Sequence, residues 1–203
     1  MRVLGFSGSL RRDSYNRRLL QAAAQFIPED VAYELWPGIG DLPAYSEDLD
    51  RAQPSPAVVV LRQDIPEADA LLFATPEYNS SVPGGLKNAL DWASRPYATN
   101  VLRRKPVAVI GASTGFFGAV WAQAELRRIL RACGAQVLDR QLPVARAAEA
   151  FARDGSLADP PAKRDQGEPR PTDRRRAQRS VGVERRSRDC GHTRAGPAAD
   201  RHA

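Results

Sequence analysis

Cysteine is scarce in this chain. Of 203 residues only Cys133 and Cys190 are cysteines. Two isolated thiols make neither a disulfide framework nor a metal-ligand motif. Cys133 falls near the end of an apolar helical pattern, where packing accounts for it. Long apolar runs are also missing. None approaches the roughly 18 residues of a membrane span, and Val3-Leu4-Gly5-Phe6 reads as a strand with no signal-peptide pattern before it. The cytoplasm is the expected compartment. Two nucleotide signatures are absent as well. Without Gly-x-Gly-x-x-Gly there is no dinucleotide fingerprint, and without Gly-Lys-Ser/Thr there is no triphosphate loop.

From Pro161 onward there is no Leu, Ile, Phe, Trp, Tyr or Met, and both histidines, His192 and His202, lie there. Such a segment cannot bury enough surface to offset its ordering entropy, so disorder is expected. The same stretch carries the charge. Residues 1–160 hold 18 basic and 18 acidic side chains, whereas residues 161–203 hold 12 and 6. The net +6 therefore belongs to the tail. Arg174-Arg175-Arg176 and Arg185-Arg186 are interspersed with acids, and no aromatic is present for base stacking. Nucleic acid is not an expected partner.

Up to about residue 155, apolar strands alternate with helical patterns. Strands are expected at residues 2–7, 31–36, 70–75, 106–112 and 136–138. Helices are expected at 16–26, 56–65, 85–94, 117–133 and, more weakly patterned, 145–153. The runs at 70–75 and 106–112 are almost continuously apolar, as in strands covered on both faces. This alternation predicts an α/β fold: a five-stranded parallel sheet of order 2-1-3-4-5 between helical layers.

In such a sheet, ligands sit beyond the carboxyl ends of the strands at the switch point. The loops after strands 1, 3 and 4 converge there. The first reads Gly8-Ser9-Leu10-Arg11-Arg12-Asp13-Ser14-Tyr15-Asn16 and enters a helix. Free N–H groups, hydroxyls and the Arg11 guanidinium would suit one terminal phosphate. An N-capped helix behind a polar loop fits the same residues equally well.

The second loop contains Thr75-Pro76-Glu77-Tyr78-Asn79-Ser80-Ser81-Val82-Pro83-Gly84-Gly85. Its prolines preorganise a backbone able to face the polar edge of a flat heterocycle. Glu77 has no His or second acid beside it in sequence to tune it, so direct proton transfer is not expected of it. Trp92 reads as a packing or subunit-contact residue rather than a cofactor stacker. The third loop, Ser113-Thr114-Gly115-Phe116-Phe117-Gly118, is a short turn into a helix. It reads either as a backbone approach to a ring edge or as a simple helix start.

Taken together, Gly-Ser-Leu-Arg-x-x-Ser-x-Asn and Pro-Glu-Tyr-Asn-x-Ser-x-Pro-Gly-x-Leu-Lys-Asn-Ala-x-Asp-Trp resemble the NADPH-dependent FMN reductases, flavodoxin-like quinone, azo-dye and chromate reductases, over residues 1–155. The resemblance implies a flavodoxin-like fold, non-covalent FMN and NAD(P)H as co-substrate. Ser9, Arg11, Ser14, Tyr15 and Asn16 would hold the phosphate. Pro76, Glu77, Tyr78 and Asn79 would border the isoalloxazine, with Ser113 and Gly115 on its other polar edge. Hydride would pass from NAD(P)H through FMN to a quinone, azo dye, chromate or free flavin, with no catalytic side chain and no metal. A homodimer or homotetramer with Tyr78 and Trp92 near the subunit contact is also implied. Two other readings remain alongside: an FMN electron carrier that does not itself oxidise NAD(P)H, and a flavin-free binding protein of the same fold.

The chain departs from this pattern after residue 155. Family members continue into an amphipathic helix that covers the sheet, whereas here Gly155-Ser156-Leu157-Ala158-Asp159-Pro160-Pro161 leads into the Arg-rich tail. Residues 156–203 are expected to be a separate basic tail, and a frameshift is one origin for it.

Overall fold

Residues 1–152 and 155–157 are described by a computed structural model. The strands are β1 (Arg2–Ser7), β2 (Ala32–Trp36), β3 (Ala70–Ala74), β4 (Pro106–Ala112), β5 (Gln136–Val137) and β6 (Pro143–Val144). The helices are α1 (Tyr15–Ala23), α2 (Glu47–Ala52), α3 (Pro56–Glu67), α4 (Gly84–Ala93), α5 (Val120–Ala132) and α6 (Ala147–Ala150). The sheet is parallel, in the expected order β2-β1-β3-β4-β5.

Register explains the core. Phe6 of β1 lies between Trp36 of β2 and Phe73 of β3. The Phe6 ring centroid is 5.6 Å from that of Trp36 and 4.8 Å from that of Phe73. This aromatic row belongs to the larger core, which Leu61 of α3, Leu86 and Leu90 of α4, and Leu126 and Leu130 of α5 complete. On the opposite face, Leu19 and Leu20 of α1 pack with Ile110, Ala112 and Phe151. Each fully buried leucine or phenylalanine contributes about 1.5–3 kcal/mol through loss of apolar surface to water. Alternation along β4 serves both layers: Val107 and Val109 face the larger core, Ile110 and Ala112 the smaller.

The structure refines several expected boundaries. The last strand is split. β5 pairs with the start of β4 at Pro106 and Val107, and β6 pairs with its end at Gly111 and Ala112. The polar run Asp139-Arg140-Gln141 interrupts the apolar pattern between them. α5 begins at Val120 rather than at residue 117 because Gly118 and Ala119 are both left-handed, at φ +60° and +61°. A Cβ on Gly118 would come within 2.7 Å of the Pro143 backbone, so this close approach of loop and β6 requires glycine. The weak helix expected at 145–153 shortens to α6. α2, a short acidic helix, was not expected from the pattern. Of the segment expected as a separate tail, only Ser156 and Leu157 lie among the described residues.

Candidate functional site

β1, β3 and β4 end side by side, and the loops that follow them enclose one cleft. Of the residues singled out from the sequence, Ser9, Arg11, Ser14, Tyr15, Asn16, Pro76, Glu77, Tyr78 and Ser113 line it, together with Ala112 and Thr114. Asn79 and Gly115 are not among the lining residues. Asn79 sits at the tip of a turn at φ 53°, and the Gly115 carbonyl is engaged by the Arg146 N–H at 2.9 Å. Ala112 was missed because an alanine carries no chemical signal. Its backbone, not its side chain, does the work.

The first loop is arranged by its own residues. Ser14 is the N-cap of α1, and its Oγ accepts the Arg17 N–H at 3.2 Å. Ser9 Oγ accepts the Arg11 N–H at 3.4 Å. Each hydroxyl accepts a backbone N–H, so its own O–H remains free to donate. The N–H groups of Tyr15 and Asn16 take no acceptor among the described residues. They are the unpaired donors that a helix N-terminus presents. Arg11 donates one N–H to the Asp13 carbonyl at 2.7 Å, and its guanidinium carbon lies 5.8 Å from the Tyr15 ring centroid.

Asn16 behaves differently. Its side-chain amide pairs with one backbone: Nδ2 donates to the Ala112 carbonyl and Oδ1 accepts the Ala112 N–H, both at 2.9 Å. The residue is 2% exposed. This pair ties the start of α1 to the end of β4 across the cleft floor. The Asn16 backbone N–H takes no part in this pair.

The second loop is held from outside. Tyr78 and Ser81 exchange two backbone hydrogen bonds of 3.1 Å, closing a tight turn. Asn79 and Ser80 occupy its centre at φ 53° and 60°. Glu77 Oε2 accepts the N–H groups of Trp121 and Ala122, each at 3.1 Å. Glu77 thus caps α5, whose own N-cap residue, Ala119, makes no side-chain bond. From α5 in return, Glu125 Oε2 accepts Ser81 Oγ at 2.6 Å and the Val82 N–H at 3.3 Å.

The third loop rests on β6 and α6. The Val144 and Ser113 carbonyls accept the N–H groups of Ser113 and Ala147 respectively, both at 3.0 Å. Beside the cleft, Tyr78, Phe116, Phe117 and Trp121 are exposed, and the rings of Phe117 and Trp121 meet at 4.9 Å. Trp92 is fully buried and donates its indole N–H to the Pro43 carbonyl. Of packing and subunit contact, it therefore does the former. Among the described residues no group of side chains could hold a metal, and no helix is long and apolar enough to cross a membrane.

The donor set suits a phosphate monoester: two helix N-terminal N–H groups, two hydroxyls and one guanidinium, with no carboxylate among the cleft residues of the first loop. The sequence profile of the NADPH-dependent FMN reductases matches residues 1–149. The chain belongs to this family. An NAD(P)H-dependent FMN reductase of Pseudomonas aeruginosa is 44% identical over 164 residues, 80% of this chain and 88% of the relative. A 2-hydroxy-1,4-benzoquinone reductase of a Burkholderia species is 50% identical over 122 residues, 60% of this chain and 66% of the relative. Among solved structures, FerB, a flavoenzyme NAD(P)H:(acceptor) oxidoreductase from Paracoccus denitrificans, superposes with a TM-score of 0.69 at 43% identity. It covers 78% of this chain and 86% of its own. This reductase is accordingly an FMN-dependent NAD(P)H oxidoreductase of flavodoxin-like fold, as the loop motifs implied.

Proposed function

We propose that this reductase holds the FMN phosphate at the N-terminus of α1. The backbone N–H groups of Tyr15 and Asn16, the hydroxyls of Ser9 and Ser14, and Arg11 bind it. The segment Pro76, Glu77, Tyr78 and Asn79 borders the flavin, with Ser113 and Gly115 on the other polar edge. Bound there, FMN supplies the hydride chemistry between NAD(P)H and a small-molecule acceptor, for which a quinone is the leading class. The protein's share is to bind, orient and stabilise charge through peptide dipoles, and no side chain is assigned as acid, base or nucleophile.

One observation carries this reading. The free N–H groups of α1 and Arg11 line the same cleft, at the carboxyl ends of the central strands. Visible spectra before and after anaerobic NADPH addition test it. Yellow protein that bleaches on mixing is the expected result. Yellow protein that does not bleach would make the chain a carrier, and colourless protein that cannot be reconstituted with FMN would refute both.

Two copies of the reductase pair over the exposed rings of Phe117 and Trp121, which meet at the start of α5. Sedimentation of a Phe117→Asp/Trp121→Asp variant is expected to show monomer where the parent protein shows dimer. A cytoplasmic location, where NAD(P)H is supplied, belongs to the same reading.

A further inference from the structure

The loop between β3 and α4 and the helix α5 hold each other through two carboxylates, one from each side. Glu77, in the loop, accepts two N–H groups from the first turn of α5. Glu125, on α5, accepts a hydroxyl and an N–H from the far arm of the loop. Between these anchor points lies the Tyr78–Ser81 turn, with two left-handed non-glycine residues at its centre. A turn of two such residues is not favoured by its own backbone. The anchors on either side hold it in place. Glu77 supplies α5 with the cap it lacks. The other oxygen of Glu125 meets exposed Arg128 only at 4.0 Å.

We propose that Glu125 is a positioning residue for cofactor binding: it fixes Ser81 and Val82, and thereby the placement of Tyr78 in the cleft. Glu77 is the matching anchor on the near arm. The inference rests on the FMN reading for its binding readout and on the loop itself for its second readout. Nothing in the local sequence around Glu125 signals this role, because its partners stand 43 and 44 residues away.

The test uses the full chain, stripped of flavin, in three forms: Glu125→Ala, Glu125→Gln and Ser81→Ala. Two quantities are measured, FMN affinity by fluorescence titration and amide exchange at Ser81 and Val82. Removing hydrogen bonds to a charged acceptor is worth roughly a tenfold loss. Glu125→Ala is therefore expected to weaken FMN binding about tenfold and to speed exchange at Val82 to a similar extent, while exchange in α1 stays unchanged. Gln keeps a carbonyl oxygen that can accept from both donors, so Glu125→Gln is expected to recover most of both effects. Ser81→Ala should show a smaller loss, and adding it to Glu125→Ala should cost little more, since the two share one bond.

Unchanged exchange at Val82 in Glu125→Ala would overturn the anchor itself. Faster exchange with parental FMN affinity would leave the anchor structural and overturn its positioning role. A parent protein that takes up no FMN would sink the cofactor reading, and exchange at Val82 would still decide whether Glu125 holds the loop.

Discussion

The first and second loops of the cleft solve the same problem in opposite ways. The first, between β1 and α1, is shaped mainly by bonds spanning two or three residues: Ser9 to Arg11, Arg11 to Asp13, Ser14 to Arg17. The second is shaped by a helix more than forty residues further along the chain. A phosphate site needs N–H groups aimed at one point, and a helix start provides these by its own geometry. A loop that borders a flat ring needs a backbone edge of fixed shape and no regular element to provide it. Rigidity must then be borrowed from a neighbour. The lesson is that a site can join one locally specified half to one specified only by the completed fold.

Asn16 is where the comparison can be broken most severely, because its side chain ties the first loop to the end of β4, 96 residues away. Its amide satisfies both the N–H and the carbonyl of buried Ala112. Asn16→Ala leaves two buried backbone groups without partners. It is expected to lower stability by about 2–5 kcal/mol, read as the midpoint shift in urea unfolding. A loss below about 1 kcal/mol would mean that water reaches Ala112, and that the first loop does not depend on this tie.

Arg11 comes next. Its side chain is exposed, donates to the Asp13 carbonyl and lies over the Tyr15 ring, contacts confined to its own loop. Arg11→Ala is expected to weaken FMN binding by about 1.5–3 kcal/mol, the range for a hydrogen bond to a charged group, at unchanged unfolding midpoint without FMN. Equal affinity in the two proteins would take the guanidinium out of the phosphate site.

For the second loop the corresponding change is Glu77→Ala. It strips α5 of the acceptor for Trp121 and Ala122 and frees the near arm of the turn. Loss of a helix cap costs about 0.5–2 kcal/mol, and urea unfolding of the flavin-free protein should show it. Glu77→Gln, which keeps an acceptor oxygen, is expected to recover part of it. If alanine and glutamine behave alike and both match the parent, α5 does not depend on the loop.

The contrast also explains what could be read from the sequence. The strand order followed from alternation of apolar runs and helical patterns, and the cleft followed from strand order, because both depend on near neighbours along the chain. A capped helix start after the first loop was legible for the same reason. The second role of Asn16 was not, since Ala112 lies 96 residues away and offers only backbone. The job of Glu77 was hidden likewise: its partners are two N–H groups that exist only once Gly118 and Ala119 have turned the chain into α5. β6 escaped notice because a two-residue strand has no period, and its pairing depends on the close approach at Gly118. Trp92 was left between packing and subunit contact until the Pro43 carbonyl and a buried ring decided it.

Ser14 sharpens the comparison with the smallest expected effect. Its sequence position fitted a ligand site and a capped helix equally, and the structure gives the hydroxyl both capacities: its oxygen accepts the Arg17 N–H, and its O–H is left to donate into the cleft. Ser14→Ala removes the cap, which lowers the stability of the flavin-free protein by about 1 kcal/mol. The two roles separate when FMN is added. Ligand in excess stabilises the folded state by RT ln(1 + [L]/Kd), so a hydroxyl that also binds phosphate makes the variant gain less from FMN than the parent does. Unfolding midpoints with and without FMN therefore give two differences. Equal gains in the two proteins would make Ser14 a cap and nothing more. A smaller gain in the variant would show that one hydroxyl both starts α1 and meets the phosphate. In that case folding of the first loop and binding at it depend on the same oxygen, whereas in the second loop Glu125 lies outside the set of side chains that line the cleft.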